Sequence, residues 1–167
     1  MKATTEMLAL QAPAAIAERL WPGSPWPAVV PGLMPGHGLP TTEIAGDFVL
    51  LDHLAAAQET WGRDAPLAKL GQDWWVFACS GSGDAWLLSR DQQQAVAFLD
   101  HSAGPDALPQ PLGIDAGQWL QLADLMAQLE AAQDQGLDQG QDVALQALAL
   151  MEQLAPGLSV HYPYTLA

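Results

Sequence analysis

The segment from Asp73 to Asp100 limits the possible folds more than any other part of this chain. It holds three apolar runs rich in aromatic and β-branched residues: "DWWVFACS" (73–80), "DAWLLS" (84–89) and "QAVAFLD" (94–100). Only Gly81-Ser82-Gly83 and Arg90-Asp91-Gln92-Gln93 separate them. A parallel crossover needs a dozen or more residues, so linkers this short force adjacent antiparallel strands. Gly81 and Gly83 are then expected to be structural turn residues, placed where the backbone between two strands takes positive φ.

The first linker also offers chemistry, because Cys79, Ser80, Ser82 and Asp84 crowd into it. A hydrolase elbow needs Gly-x-Ser-x-Gly and a helix after the nucleophile. Here Ser80 stands where the first glycine belongs, and a strand follows. A phosphate cradle needs Gly-Lys-Ser/Thr before a helix N-terminus, and neither is present. No basic residue flanks Cys79 to favour a thiolate. The stretch reads as a hairpin turn without a catalytic role.

The flanking elements complete an α+β pattern. Residues 4–20 are expected to form a helix capped by Thr4 or Thr5, with Met7, Leu10, Ala14 and Ala17 on one stripe and Pro13 kinking or dividing it. Residues 21–40 contain six prolines and four glycines, which exclude a regular helix or central strand. Their Trp21, Trp26, Val29, Val30, Leu33 and Met34 predict an irregular arm laid over the core. "DFVLLDHL" (47–54) suits a buried strand, and 53–62 a helix ending at Gly62. A polar loop is expected over 101–113. Helices follow over 115–155, with stripes Trp119, Leu122, Met126, Leu129 and then Leu145, Leu148, Met151. The expectation is a single domain, 1–167: an antiparallel β-meander packed by N- and C-terminal helices.

Five basic residues against nineteen acidic ones give a formal net charge of -14. That balance argues against nucleic acid and against an anionic membrane surface, both of which attract basic faces. The acidity is spread along the chain, so it serves solubility or steers a basic protein partner. The carboxylates placed to meet such a partner are Asp84, Asp91 and Asp100 at strand ends and turns, with Asp106 on the following loop. Of the seven tryptophans, Trp61 and Trp119 fall on helical core stripes, while Trp75 and Trp86 are the candidates for exposed anchors. A single cysteine excludes an intramolecular disulfide, and no run reaches the length of a membrane span. Glu6 interrupts the start before a secretory apolar core can form, so a cytoplasmic location is expected.

Two of the four histidines follow aspartates, as Asp52-His53 and Asp100-His101. Were their strands adjacent, two histidines and two aspartates would meet and suggest an acid–base or metal site. Adjacent residues on a strand point to opposite sides, and no His-x-x-x-His spacing supports them. No metal or cofactor is expected, and the aspartates are read as caps.

The run "WWVFACSGSGDAWLLS…QAVAFLDHSAG…IDAGQWLQLADLM" resembles the SUKH superfamily, whose members include bacterial toxin-immunity proteins and fungal cell-wall regulators. Gly83-Asp84 matches the family's turn, Val96 with Asp100-His101 its V-x-x-x-D-H strand, and Trp119 its aromatic helix start. The likeness covers about residues 45–130 and includes the strand and short helix of 47–61. It departs at the front, where only Leu39-Pro40 echoes the family's L-P-x-x-Y and N-G, and the proline-rich arm replaces the rest. The resemblance implies a SUKH-like, non-enzymatic binding domain, of the immunity type that occludes a toxin, often a nuclease. A nuclease is basic because it holds phosphate, and an inhibitor at -14 complements it. The alternatives are a regulatory domain of the same fold with no toxin, and a hydrolase or metal site built on the Asp-His pairs.

Overall fold

The computed structural model describes residues 8–23, 39–62, 73–90, 95–104, 106–136 and 142–166. Six strands form one antiparallel sheet in the order β1 (Thr42–Ala45), β2 (Phe48–Leu50), β3 (Trp74–Cys79), β4 (Ala85–Ser89), β5 (Ala95–Leu99) and β6 (Gln110–Asp115). Around it lie helices α1 (Pro13–Leu20), α2 (His53–Trp61), α3 (Ala116–Asp134), α4 (Asp142–Leu154) and α5 (Leu158–His161), with a 3-10 turn at His101–Ala103. The result is a single α+β domain built on a meander, as the short linkers require.

Alternation along the strands divides the sheet into two unlike faces. Phe48, Leu50, Phe77, Trp86, Leu88, Val96, Phe98, Leu112 and Ile114 point to the main core. Val76, Leu87, Ala97 and Leu99 point the other way into a smaller apolar cluster that Ala107 joins from the following loop. On the main face Trp119 of α3 packs among aromatic rings, its centroid 4.7 Å from Phe77 and 5.6 Å from Phe48. Phe48 stacks on Trp86 at 4.8 Å. Each such pair contributes about 0.5–1.5 kcal/mol beyond its burial.

Local chemistry sets the element boundaries. Asp115 accepts from the Gln118 amide while the Gln118 side chain accepts from the Asp115 amide, a reciprocal cap that starts α3. Trp119, Leu122, Met126 and Leu129 are all buried, as their spacing predicts. Leu120, Ala123 and Leu125 are buried too, because α1 and α4 also pack on this helix. Asp52 caps α2 through the Ala55 amide, and Gly62 ends it. The buried Thr60 hydroxyl donates to Ala56 O and accepts from the Val76 amide, so α2 closes an edge of β3 that short β2 leaves unpaired.

Several expectations change. Within the described residues the first helix begins at Pro13 and residues 8–12 are non-helical, so the proline marks a boundary and not a kink, in the first turn where its missing N–H costs nothing. Its buried pair is Ile16 and Ala17, while Ala14 is exposed; Met7 lies outside the described residues. Most of the 21–40 arm also lies outside them, but Trp21 and Leu39 at its two ends are buried. Thr42–Ala45 is an extra strand. Part of the expected 101–113 loop is β6, whose Leu112 and Ile114 face the core and whose Pro111 is tolerated on an edge strand. On α4 the buried line is Val143, Ala147 and Met151, and Leu145 is exposed. Trp61 is half exposed, stacking edge-on against Trp75 at 4.5 Å, and the Arg90 guanidinium lies 4.3 Å from the Trp75 ring.

The N-terminal layer is held by polar groups of α3. The Gln128 side chain exchanges two hydrogen bonds with the backbone of Ala9, at 2.9 and 3.1 Å. Beneath it Asp124 is buried at mid-helix, bonded to Arg19 of α1 and to Gln128. A buried carboxylate stripped of its cation is costly, whereas an apolar replacement of both partners is close to neutral. Because the Arg19 side chain is more than half exposed and solvent screens the pair, Arg19→Ala is expected to lower stability by about 1–2 kcal/mol. The double replacement Arg19→Met with Asp124→Leu should recover most of that loss in urea denaturation.

Candidate functional site

The most connected polar group among the described residues is Asp84, the residue that ends the glycine turn just before β4. Ser80 N–H bonds Asp84 O at 2.9 Å, and Asp84 N–H bonds the Ser80 hydroxyl at 3.0 Å. Gly83 closes this loop at φ +93°, a region L side chains rarely adopt. Gly81 has a different role from the one expected. Its amide bonds Gly46 O at 3.0 Å, and a Cβ there would sit 2.9 Å from that oxygen. Close packing of two hairpins, β1–β2 and β3–β4, demands this glycine, and positive φ does not.

Both oxygens of the buried Asp84 carboxylate are occupied. Oδ1 accepts from the His101 amide at 3.0 Å and lies 2.5 Å from His101 Nδ1. Oδ2 accepts from the Tyr164 hydroxyl at 2.8 Å and the Ser82 hydroxyl at 3.2 Å. Burial pushes this carboxyl up, but the bonds from His101, Tyr164 and Ser82 together outweigh it and hold it below its ordinary range. The same burial, with Asp84 close by, pushes the Tyr164 hydroxyl well above its usual value, so it remains a donor. One carboxylate thus ties together the turn, the segment after β5 and the C-terminal residues, which are 17 and 80 positions away.

This geometry departs from a catalytic triad. In a triad the histidine stands between carboxylate and nucleophile. Here Ser82 donates directly to Asp84, Ser80 bonds Ser82, and no described hydroxyl bonds the His101 ring. Cys79 is no better placed, since burial, with Glu59 near, pushes its thiol up. Asp84, Asp100 and His101 can bring one ligand atom each within 4.8 Å of one another. For a metal to use Asp84, the carboxylate would have to give up donors it already holds.

The structure redistributes the expected site residues. Asp84 is buried as an acceptor and Trp86 is fully buried, its Nε1 donating to Asp47 O at 2.7 Å, so neither is an exposed contact. Trp75 is partly buried under Arg90. Asp91 lies outside the described residues. Asp100 and Asp106 are exposed, Asp100 also capping the 3-10 turn through the Ser102 amide at 2.8 Å. Of the Asp-His pairs, Asp52 caps α2 beside an exposed His53, while His101 bonds Asp84 and not its own neighbour's carboxylate. Tyr164 had no signal in the sequence, since nothing local distinguishes a tyrosine that will meet a residue 80 positions earlier. Among the described residues no helix is long and apolar enough to cross a membrane. No protein-family model, curated protein or solved structure matches the chain.

A carboxyl held below its ordinary value stabilises the fold above the unfolded-state pKa, and that contribution is lost as pH falls through the folded-state value. Asp84→Asn is expected to destabilise the protein at neutral pH by about 3 kcal/mol, because buried donors lose a charged acceptor. The variant should also show a shallower fall in melting temperature on acidification than the parent. Equal acid slopes in the two proteins would contradict the assignment. Gly81→Ala should destabilise through its collision with Gly46 O, even though alanine costs nothing in conformation there.

Proposed function

We propose that this chain is a non-enzymatic protein-binding domain of the immunity type, which covers a basic protein partner such as a toxin nuclease. The observation that carries the reading is where the charges lie. Among the described residues only Asp84 and Asp124 are buried carboxylates. The two described cations, Arg19 and Arg90, are engaged by Asp124 and by the Trp75 ring. Most of the other described carboxylates, Asp100, Asp106, Glu43 and Glu130 among them, meet solvent, and neither described arginine pairs with them. A field of that sign accelerates encounter with a basic surface and repels nucleic acid.

Two further features support it. The residues behind the SUKH resemblance converge in space, because the Gly83-Asp84 turn is bonded to His101 of the Asp100-His101 pair. The same loop carries Leu108, 79 % exposed, two residues past Asp106, an apolar contact beside a charged one.

The test begins with capture of a partner from the native host at low ionic strength. A captured basic protein should associate more slowly as salt rises, with a much smaller change in dissociation, because the Debye length is only about 8 Å at 0.15 M. Asp106→Lys should slow association several-fold while leaving the melting temperature nearly unchanged. An acidic partner, or a salt-independent association rate, would contradict the proposal.

A further inference from the structure

A groove of about 110 Å³ runs between the C-terminal half of α3 and the segment after α5, at the β1–β2 turn. Its floor is apolar, with Phe48 and Leu129, and its walls carry Asp47, Glu130, Tyr162 and Tyr164. Small-molecule and cofactor sites are typically about 300–1,000 Å³, so this space suits one side chain. Among the described residues, no lysine, arginine or histidine lines it.

The polar groups are held in place by the fold. Glu130 Oε1 accepts from the Gly46 amide at 2.9 Å, and a Cβ on Gly46 would meet that oxygen at 3.1 Å. Asp47 follows in the same turn, and its carbonyl oxygen accepts the bond from Trp86 Nε1. Tyr162 and Tyr164 meet edge-to-face with ring centroids 5.9 Å apart. Burial, only partly offset by the Gly81 amide and reinforced by Asp84, pushes the Asp47 carboxyl up. The Tyr162 hydroxyl is raised by burial first, then by the charges of Asp47 and Glu130, so both carboxylates bear on the same spot. Asp47 is half-buried and Glu130 exposed, and among the described residues no cation lines the groove, so a cation entering from outside would pair with both carboxylates.

We propose that this groove receives an arginine side chain presented by the basic protein partner. A guanidinium fits better than an ammonium because it is weakly hydrated, stacks on aromatic rings and can bond two acceptors at once. Its methylenes would cover the apolar floor while its head lies between Asp47 and Glu130. The proposal rests on the binding role argued above and assigns that role an anchor.

The probe is a blocked glycine–arginine–glycine tripeptide, titrated into the labelled full-length protein at low salt and followed by amide chemical shifts. Shifts are expected at residues 46–48, 130 and 162–166. The same tripeptide with citrulline, which is uncharged and nearly isosteric, should produce none of them. Glu130→Gln keeps an acceptor for Gly46 and should weaken the arginine peptide about fivefold or more, as should Asp47→Asn, since a charge-assisted bond becomes a neutral one. Absence of shifts at the groove, equal shifts with citrulline, or tighter binding of spermidine than of the peptide would overturn the assignment. With a captured partner, Glu130→Gln should speed dissociation; an unchanged rate would refute the anchor while leaving the binding role intact. Selective peptide binding with no partner captured would support arginine recognition and count against the binding role.

Discussion

The arrangement at the turn end of the sheet depends on one buried carboxylate. Asp84 accepts from a serine two residues before it, from both the backbone and ring of His101, and from Tyr164 near the C-terminus. A carboxylate sealed from water without partners would be costly, so each donor is a requirement of the buried position as much as a bonus to it. The bonds also fix long-range topology. The end of β5, the β3–β4 turn and the final segment cannot move independently while they share an acceptor. Trp86, which follows two residues later, is thereby held against Phe48 and bonded to the β1–β2 turn.

That turn end also adjoins the groove lined by Asp47 and Glu130. Tyr164 donates to Asp84 and lines the groove, and Asp47 belongs to both the Trp86 bond and the groove wall. The same backbone contacts that stabilise the fold therefore position the carboxylates assigned to a partner. Rigid presentation of this kind lowers the ordering cost of association. In this cluster Ser82 donates directly to Asp84, and no described hydroxyl bonds the His101 ring.

Much of the fold was legible in the chain because local rules decide it. The meander of β3, β4 and β5 follows from linkers too short for anything else, and α3 follows from the Trp119, Leu122, Met126, Leu129 stripe that starts after Asp115. The misses have local causes too. β1 is four residues long and β6 contains Pro111 and Gly113, so neither stands out against loop. On α4 two stripes compete in an alanine- and leucine-rich run, and tertiary packing chooses Val143, Ala147 and Met151. The site was less legible. Asp84 and Asp100 look alike in sequence as strand-end aspartates, yet one is buried beneath Tyr164 and the other faces solvent. Long-range partners decide between them, and no local pattern encodes such a partner.

The claim that Asp84 acts as a structural acceptor is tested most directly by amide hydrogen exchange in Asp84→Ala, compared with the parent at a pH well above the carboxylate range. Protection at His101 and Ser80 is expected to fall together, by about tenfold or more beyond any fall at Leu88 in the middle of β4. Unchanged protection at His101 in a folded variant, or losses at Ser80 and His101 that do not accompany each other, would contradict it.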